Sequence, residues 1–147
     1  MKAGLIATAV VALVVVVLPT THALRYTVHS TPVNFYAAYH QCITKGGYLV
    51  AIETAAQNAL VVQEIKQAGG TGPWWTSGTD FGMEGAWMWL SRHTGVATIG
   101  GYSHFEAGRP VFAPTSGEDC IAISTNGLWT DKSCFDQYPF VCEYYGY

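Results

Sequence analysis

Four cysteines, Cys42, Cys120, Cys134 and Cys142, are the strongest constraint on what this chain can fold into. They follow an N-terminal stretch with Lys2 in front, an apolar run from Leu5 to Leu18, a break at Pro19 and a small-residue exit through Thr21, His22 and Ala23. A basic start, an apolar middle and a small-residue end mark a secretory leader. The run is shorter than the roughly 20 apolar residues a spanning helix needs. The expectation is a leader over residues 1–23 cleaved after Ala23, then one secreted domain over residues 24–147 with no membrane span. An even cysteine count in an oxidising compartment reads as two disulfides, with no thiol left for a nucleophile. Three pairings stay open at this point. No two cysteines have the short spacing that zinc motifs use.

Lys2 is one of the seven basic residues, so the chain from Leu24 keeps six against ten acidic ones, without a basic cluster. Nucleic acid is excluded as a partner, because phosphate binding needs clustered Lys and Arg. Asn34 caps a predicted helix on which Phe35, Ala38, Tyr39, Cys42 and Ile43 share one face, and Gly46 and Gly47 stop it. Tyr48 to Ile52 reads as a short strand. Thr54 and Gln57 form a capping box that opens a second helix, continuing to about Ala68 before Gly69 and Gly70. Trp74 to Ser77, Ala86 to Leu90, Asp119 to Ser124 and Pro139 to Tyr144 read as strands, and Asn126-Gly127 as a hairpin turn. Ile99 to Glu118 has no period and many Gly and Pro, a long loop of the kind that usually carries function. Helices followed by strands give the α+β class.

The run Trp75-Thr76-Ser77-Gly78-Thr79-Asp80, then Glu118-Asp119-Cys120, then Leu128-Trp129-Thr130-Asp131 with Cys134 and Cys142, resembles the C-type lectin-like domains. The nearest likeness is to short single-domain secreted lectins of insects. The resemblance implies two helices flanking small antiparallel sheets, one long loop, and bridges Cys42–Cys142 and Cys120–Cys134. By loop entropy the first bridge is worth about 4 to 5 kcal/mol and the second about 3. The termini should then lie together, with the long loop free at the opposite end. The resemblance also implies a binding protein and not an enzyme, with a glycan or a protein as ligand and innate immunity as the setting.

In sugar-binding members a calcium ion in the long loop is held by a Glu-Pro-Asn or Gln-Pro-Asp triplet, a later Glu and an Asn-Asp pair. Carried over, the triplet falls on Arg109, Pro110 and Val111, the Glu on Glu118, and the pair on Thr130 and Asp131. Only the proline of the triplet matches. Calcium takes six to eight oxygens and is favoured by negative charge. Glu118 and Asp131 are the only carboxylates left as metal ligands, Thr130 is a neutral donor, Val111 has no side-chain oxygen, and Arg109 adds a positive charge. No cofactor is therefore assigned, and calcium here is expected to bind weakly or not at all. Glu106 is a spare carboxylate nearby. Arg109 either neutralises Glu118 and Asp131 as an internal cation or points into solvent. The long-loop aromatics Tyr102, Phe105 and Phe112 either form a recognition surface or lie buried under the loop. His29, His40, His93 and His104 show no zinc-protease spacing. The two readings that remain are a glycan-binding lectin with an eroded calcium site and a calcium-independent module for another ligand.

Overall fold

The computed structural model describes residues 3–15, 24–111, 117 and 119–146. The cleavage point at Ala23 therefore lies outside the described residues, as do Glu118 and Phe112. Residues 3–15 form no helix or strand, and Leu5 and Val10 are exposed. Among the described residues no helix is long and apolar enough to cross a membrane.

Helix α1 spans Phe35–Thr44, and the Asn34 side chain accepts a hydrogen bond from Ala37 N, which satisfies one free amide of the first turn. Phe35, Ala38 and Cys42 are its buried residues, while Ile43 is exposed. Helix α2 spans Ala55–Ala68. Thr54 Oγ1 accepts from Gln57 N as a cap should, but Gln57 Oε1 accepts from Glu53 N, one residue before the position of a capping box.

The strands are β1 (Leu24–Val33), β2 (Tyr48–Leu49), β3 (Trp74–Thr79), β4 (Met88–Trp89), β5 (Thr94–Gly95), β6 (Cys120–Ile123), β7 (Trp129–Lys132) and β8 (Tyr138–Tyr145). They join into one sheet rather than separate small antiparallel ones. The link is a parallel pairing of β3 with β8, Trp75 opposite Phe140. From that central pair β1 and β2 extend along β8, and β4 and β6 along β3, with β5 beyond β4 and β7 beyond β6.

The period of two along strands explains how the core divides. Trp74, Ile121, Ile123, Trp129 and Val141 face one side with Val61 and Ile65 of α2. Trp75, Ala122, Phe140 and Cys142 face the other with Phe35, Ala38 and Cys42 of α1. Covered on both faces, β3 is buried along its whole length. Gly78 is needed there, because a Cβ would come within 2.5 Å of Ile121 Cδ1. The disulfides join Cys42 to Cys142 and Cys120 to Cys134. Leu24 lies opposite Tyr145, which brings the two ends of the domain together.

Candidate functional site

Trp129 carries no exposed surface and organises the long loop. Its amide donates to His104 O at 2.8 Å, and Glu106 N donates to its carbonyl at 2.8 Å. Tyr102 and Phe105 pack edge-on against its ring, with centroids at 5.6 and 5.4 Å. Its indole N–H donates to Asn58 Oδ1 of α2 at 2.8 Å, and Asn58 Nδ2 donates to Gly127 O. The described start of the loop is thus tied to the core instead of being free at the end of the domain. Tyr102 and Phe105 are half-buried and pack against the core. The hydroxyl of Tyr102 titrates above its ordinary range because burial disfavours the phenolate.

The fixed loop delivers Arg109, Pro110 and Val111 to β7. Arg109 N donates to Glu106 O, and the Arg109–Pro110 peptide is cis. Arg109 Nη1 lies 3.3 Å from Asp131 Oδ1. Val111 N donates to Asp131 Oδ2 at 2.8 Å. Asp131 is fully buried, so both its oxygens need partners, and the triplet position supplies a guanidinium and an amide. Thr130 lies opposite Ala122, and directly opposed residues share a face. Its buried hydroxyl therefore belongs with the α1 side and not with Asp131. Among the described residues the arrangement does not fit a calcium ion: one side chain is a cation, one has no oxygen, and the Asp131 carboxylate is already engaged.

A second acidic group lies where β3 ends and β6 begins. One carboxylate oxygen each from Asp80, Glu84 and Asp119 fall within 4.8 Å of one another. Asp80 follows β3, Glu84 sits in the turn after it, and Asp119 precedes β6. Asp119 O accepts from Asp80 N and from Thr79 Oγ1, which locks the two strand ends together. Asp80 is 3% exposed. Its Oδ2 accepts from Gly85 N at 2.9 Å, while its Oδ1 is buried without a hydrogen-bond partner. Burial, and the Asp119 charge beside it, push the Asp80 carboxyl above the usual carboxylate range. An unpaired buried oxygen among crowded carboxylates fits a hard divalent cation such as calcium, with water completing the shell. Sequence spacing did not show this group, because Asp119 is far along the chain from Asp80 and Glu84. The Asp80/Glu84 pair, four residues apart beyond a strand, was the signal available.

Two helices, one mixed sheet, two bridges and a long loop anchored on Trp129 make up the domain. The chain belongs to the C-type lectin domain family, whose Lectin C-type domain matches residues 31–144. It is 34% identical to a perlucin-like protein of Mytilus galloprovincialis over 113 residues, covering 74% of this chain and 69% of that protein. It is 30% identical to human tetranectin over 116 residues, covering 76% of this chain. It spans only about half of tetranectin's own length, 54%. The fold superposes on the mouse scavenger receptor C-type lectin carbohydrate-recognition domain with a TM-score of 0.74, at 25% identity over 84% of this chain and 92% of that one.

Proposed function

We propose that this protein is an exported, non-enzymatic lectin-like module that recognises glycans at the long loop without a calcium ion at the triplet position. The observation that carries this reading is Asp131, buried and held by Arg109 Nη1 and Val111 N where a bound ion would need it free. The partly exposed Arg109 guanidinium stands at the long loop, and a guanidinium is the kind of group that recognises sugar hydroxyls or a sugar carboxylate. The likeness to a carbohydrate-recognition domain supports sugar as the ligand class. The apolar run before β1 supports residues 1–23 as an export leader, and the first strand begins at Leu24, directly after it. The likeness to short secreted lectins of insects motivates microbial glycans as the first set to test. A glycan array probed with calcium and with chelator decides the matter. The expected outcome is the same bound glycans in both conditions. Binding abolished by chelator contradicts the metal-free loop. An array silent in both conditions refutes the glycan reading and leaves the second one, a protein ligand at the same loop.

Calcium, on this reading, has a structural place at Asp80, Glu84 and Asp119. Millimolar calcium is expected to raise Tm, and Asp80→Asn to remove the response, because a ligand stabilises in proportion to its occupancy of the folded state. Without calcium, Asp80→Asn should be at least as stable as the parent, since it relieves carboxylate crowding. An unchanged calcium response in Asp80→Asn would locate the ion elsewhere.

A further inference from the structure

Three aromatic rings from distant parts of the chain meet on the α1 side of the molecule and stay in water. Tyr36 of α1 is 40% exposed, Phe81 of the turn after β3 is 68% exposed, and Phe135, just past Cys134, is 74% exposed. Tyr36 is central, with its ring 6.1 Å from Phe81 and 5.7 Å from Phe135. Met83, 69% exposed, belongs to the same turn as Phe81. Burying one such side chain is worth about 1.5 to 3 kcal/mol, so folding alone gives no reason to keep a contiguous set exposed. The turn is not loose, because Met83 N donates to Asp80 O and Gly85 N to Asp80 Oδ2.

The surroundings select the occupant. Phe81 and Met83 lie between Asp80 and Glu84, whose carboxylates converge with Asp119, and Asp136 follows Phe135. Of the six cations of the domain, Arg25 lies over Tyr144, Arg92 on Glu143 and Arg109 on Asp131, while Lys132, opposite Cys120, is on the side of this face. The exposed Glu84 and Asp136 with the half-buried Asp119 outnumber it, so the border is acidic on balance. A second copy docked about a two-fold axis would set acid against acid. An anionic membrane would meet the same repulsion. A flat polysaccharide needs coplanar rings, whereas these are inclined at 82° and 50°. We infer that the Tyr36, Phe81, Met83 and Phe135 face docks a basic, apolar segment of another protein, its apolar side chains seated among the tilted rings and its Lys or Arg residues on the acidic border. Methionine suits such a surface because it repacks around different shapes.

Fluorescence anisotropy with a labelled Lys-Leu-Leu-Lys repeat peptide tests this, with a Glu-Leu-Leu-Glu repeat as counterpart. Chelator present throughout keeps the outcome independent of the calcium reading, and the four face residues lie outside Ile99 to Glu118. The lysine peptide should bind and the glutamate peptide should not. Phe81→Ser/Phe135→Ser should weaken binding about tenfold or more, as loss of central anchors does. Asp136→Lys, outside the carboxylate cluster, should weaken it severalfold and flatten its salt dependence. Leu60→Ser, an exposed position on α2, should leave it unchanged. If the double variant does not fold, Phe135→Ser alone carries the test. Equal binding of both peptides, no binding, or full binding by the ring variant overturns the inference. So does a dimer in sedimentation, or flotation with anionic vesicles, that the ring variant abolishes.

Discussion

Glu143 lies on the central strand β8 with no exposed surface, and Arg92 reaches it from beyond β4 with Nε at 3.0 Å and Nη2 at 3.2 Å. Glu53 stands 3.7 Å from the same guanidinium, and the Tyr145 ring packs under it. Burial pushes the Glu143 carboxyl above its ordinary range even though Arg92 opposes the shift. Removing one partner of a buried pair costs about 3 to 5 kcal/mol, so Arg92→Met should lower stability toward the low end of that range, since Arg92 keeps some contact with water. The pH dependence has a definite sign. A carboxyl whose folded pKa is raised favours the fold when protonated; that contribution is complete below the ordinary carboxylate pKa and is lost as pH rises through the folded value. Without Arg92 the shift grows, so the deficit of Arg92→Met relative to the parent should shrink on acidification from pH 8 to 5, and Arg92→Met/Glu143→Gln should lose that dependence. Thermal melts across this range check both; a pH-independent deficit would mean that the ion pair is not the cause. Nothing in the sequence singles out Arg92 or Glu143, because their meeting depends on how a short hairpin folds over β8. Thr54 and Asn34 were legible for the opposite reason, as each cap acts within one helical turn.

Among the elements, the helices were readable where periodicity and caps agreed. Strand β1 was not, because only Tyr26 of its ten residues is buried and the alternation is weak. The apolar run Tyr48 to Ile52 predicts a strand. The ladder stops at Leu49, yet Val50, Ala51 and Ile52 are fully buried, so the signal was one of burial more than of pairing. The long loop shows what sequence conveys and what it leaves open. Its Arg109 and Asp131 were candidates, but only the anchoring of Phe105 and Glu106 on Trp129 shows how they meet. Arg109→Met leaves the buried Asp131 with the Val111 amide as a remaining partner and should cost about 1 to 3 kcal/mol, the range for stranding a buried polar group. Arg109→Glu/Val111→Asn goes further, placing a second carboxylate against Asp131 while supplying calcium donors. That variant should be less stable than Arg109→Met under chelator and should recover with calcium. Denaturant titrations in the two conditions measure this, and indifference to both changes would make Arg109 a surface residue with no hold on the loop.

At the scale of the whole molecule, the two bridges act on different parts of the core. Cys42–Cys142 closes a separation of 100 residues and ties α1 to β8, the strand that β1, β2 and β3 all join. Cys120–Cys134 closes 14 residues and holds the β6–β7 hairpin to the chain that follows it. Cysteine count alone left three pairings, and resemblance chose among them; the fold adds the reason why the long bridge matters more. Loop entropy assigns it about 4 to 5 kcal/mol against about 3 for the short one. Both cysteines of the long bridge are fully buried in the α1 half of the core, so its removal also leaves two small side chains in a packed space. Cys42→Ala/Cys142→Ala should therefore lose more stability than Cys120→Ala/Cys134→Ala, with the difference near 1 to 2 kcal/mol, or roughly 3 to 8 °C in Tm. The short-bridge variant should also loosen Asp119 and Phe135, which flank its two cysteines, and so weaken the calcium response and binding at the aromatic face. The long-bridge variant, while folded, should keep both. Melting curves with and without calcium on the two double variants separate these effects, and a larger loss on removing the short bridge would show that closure of β8 onto α1 is not what holds the domain.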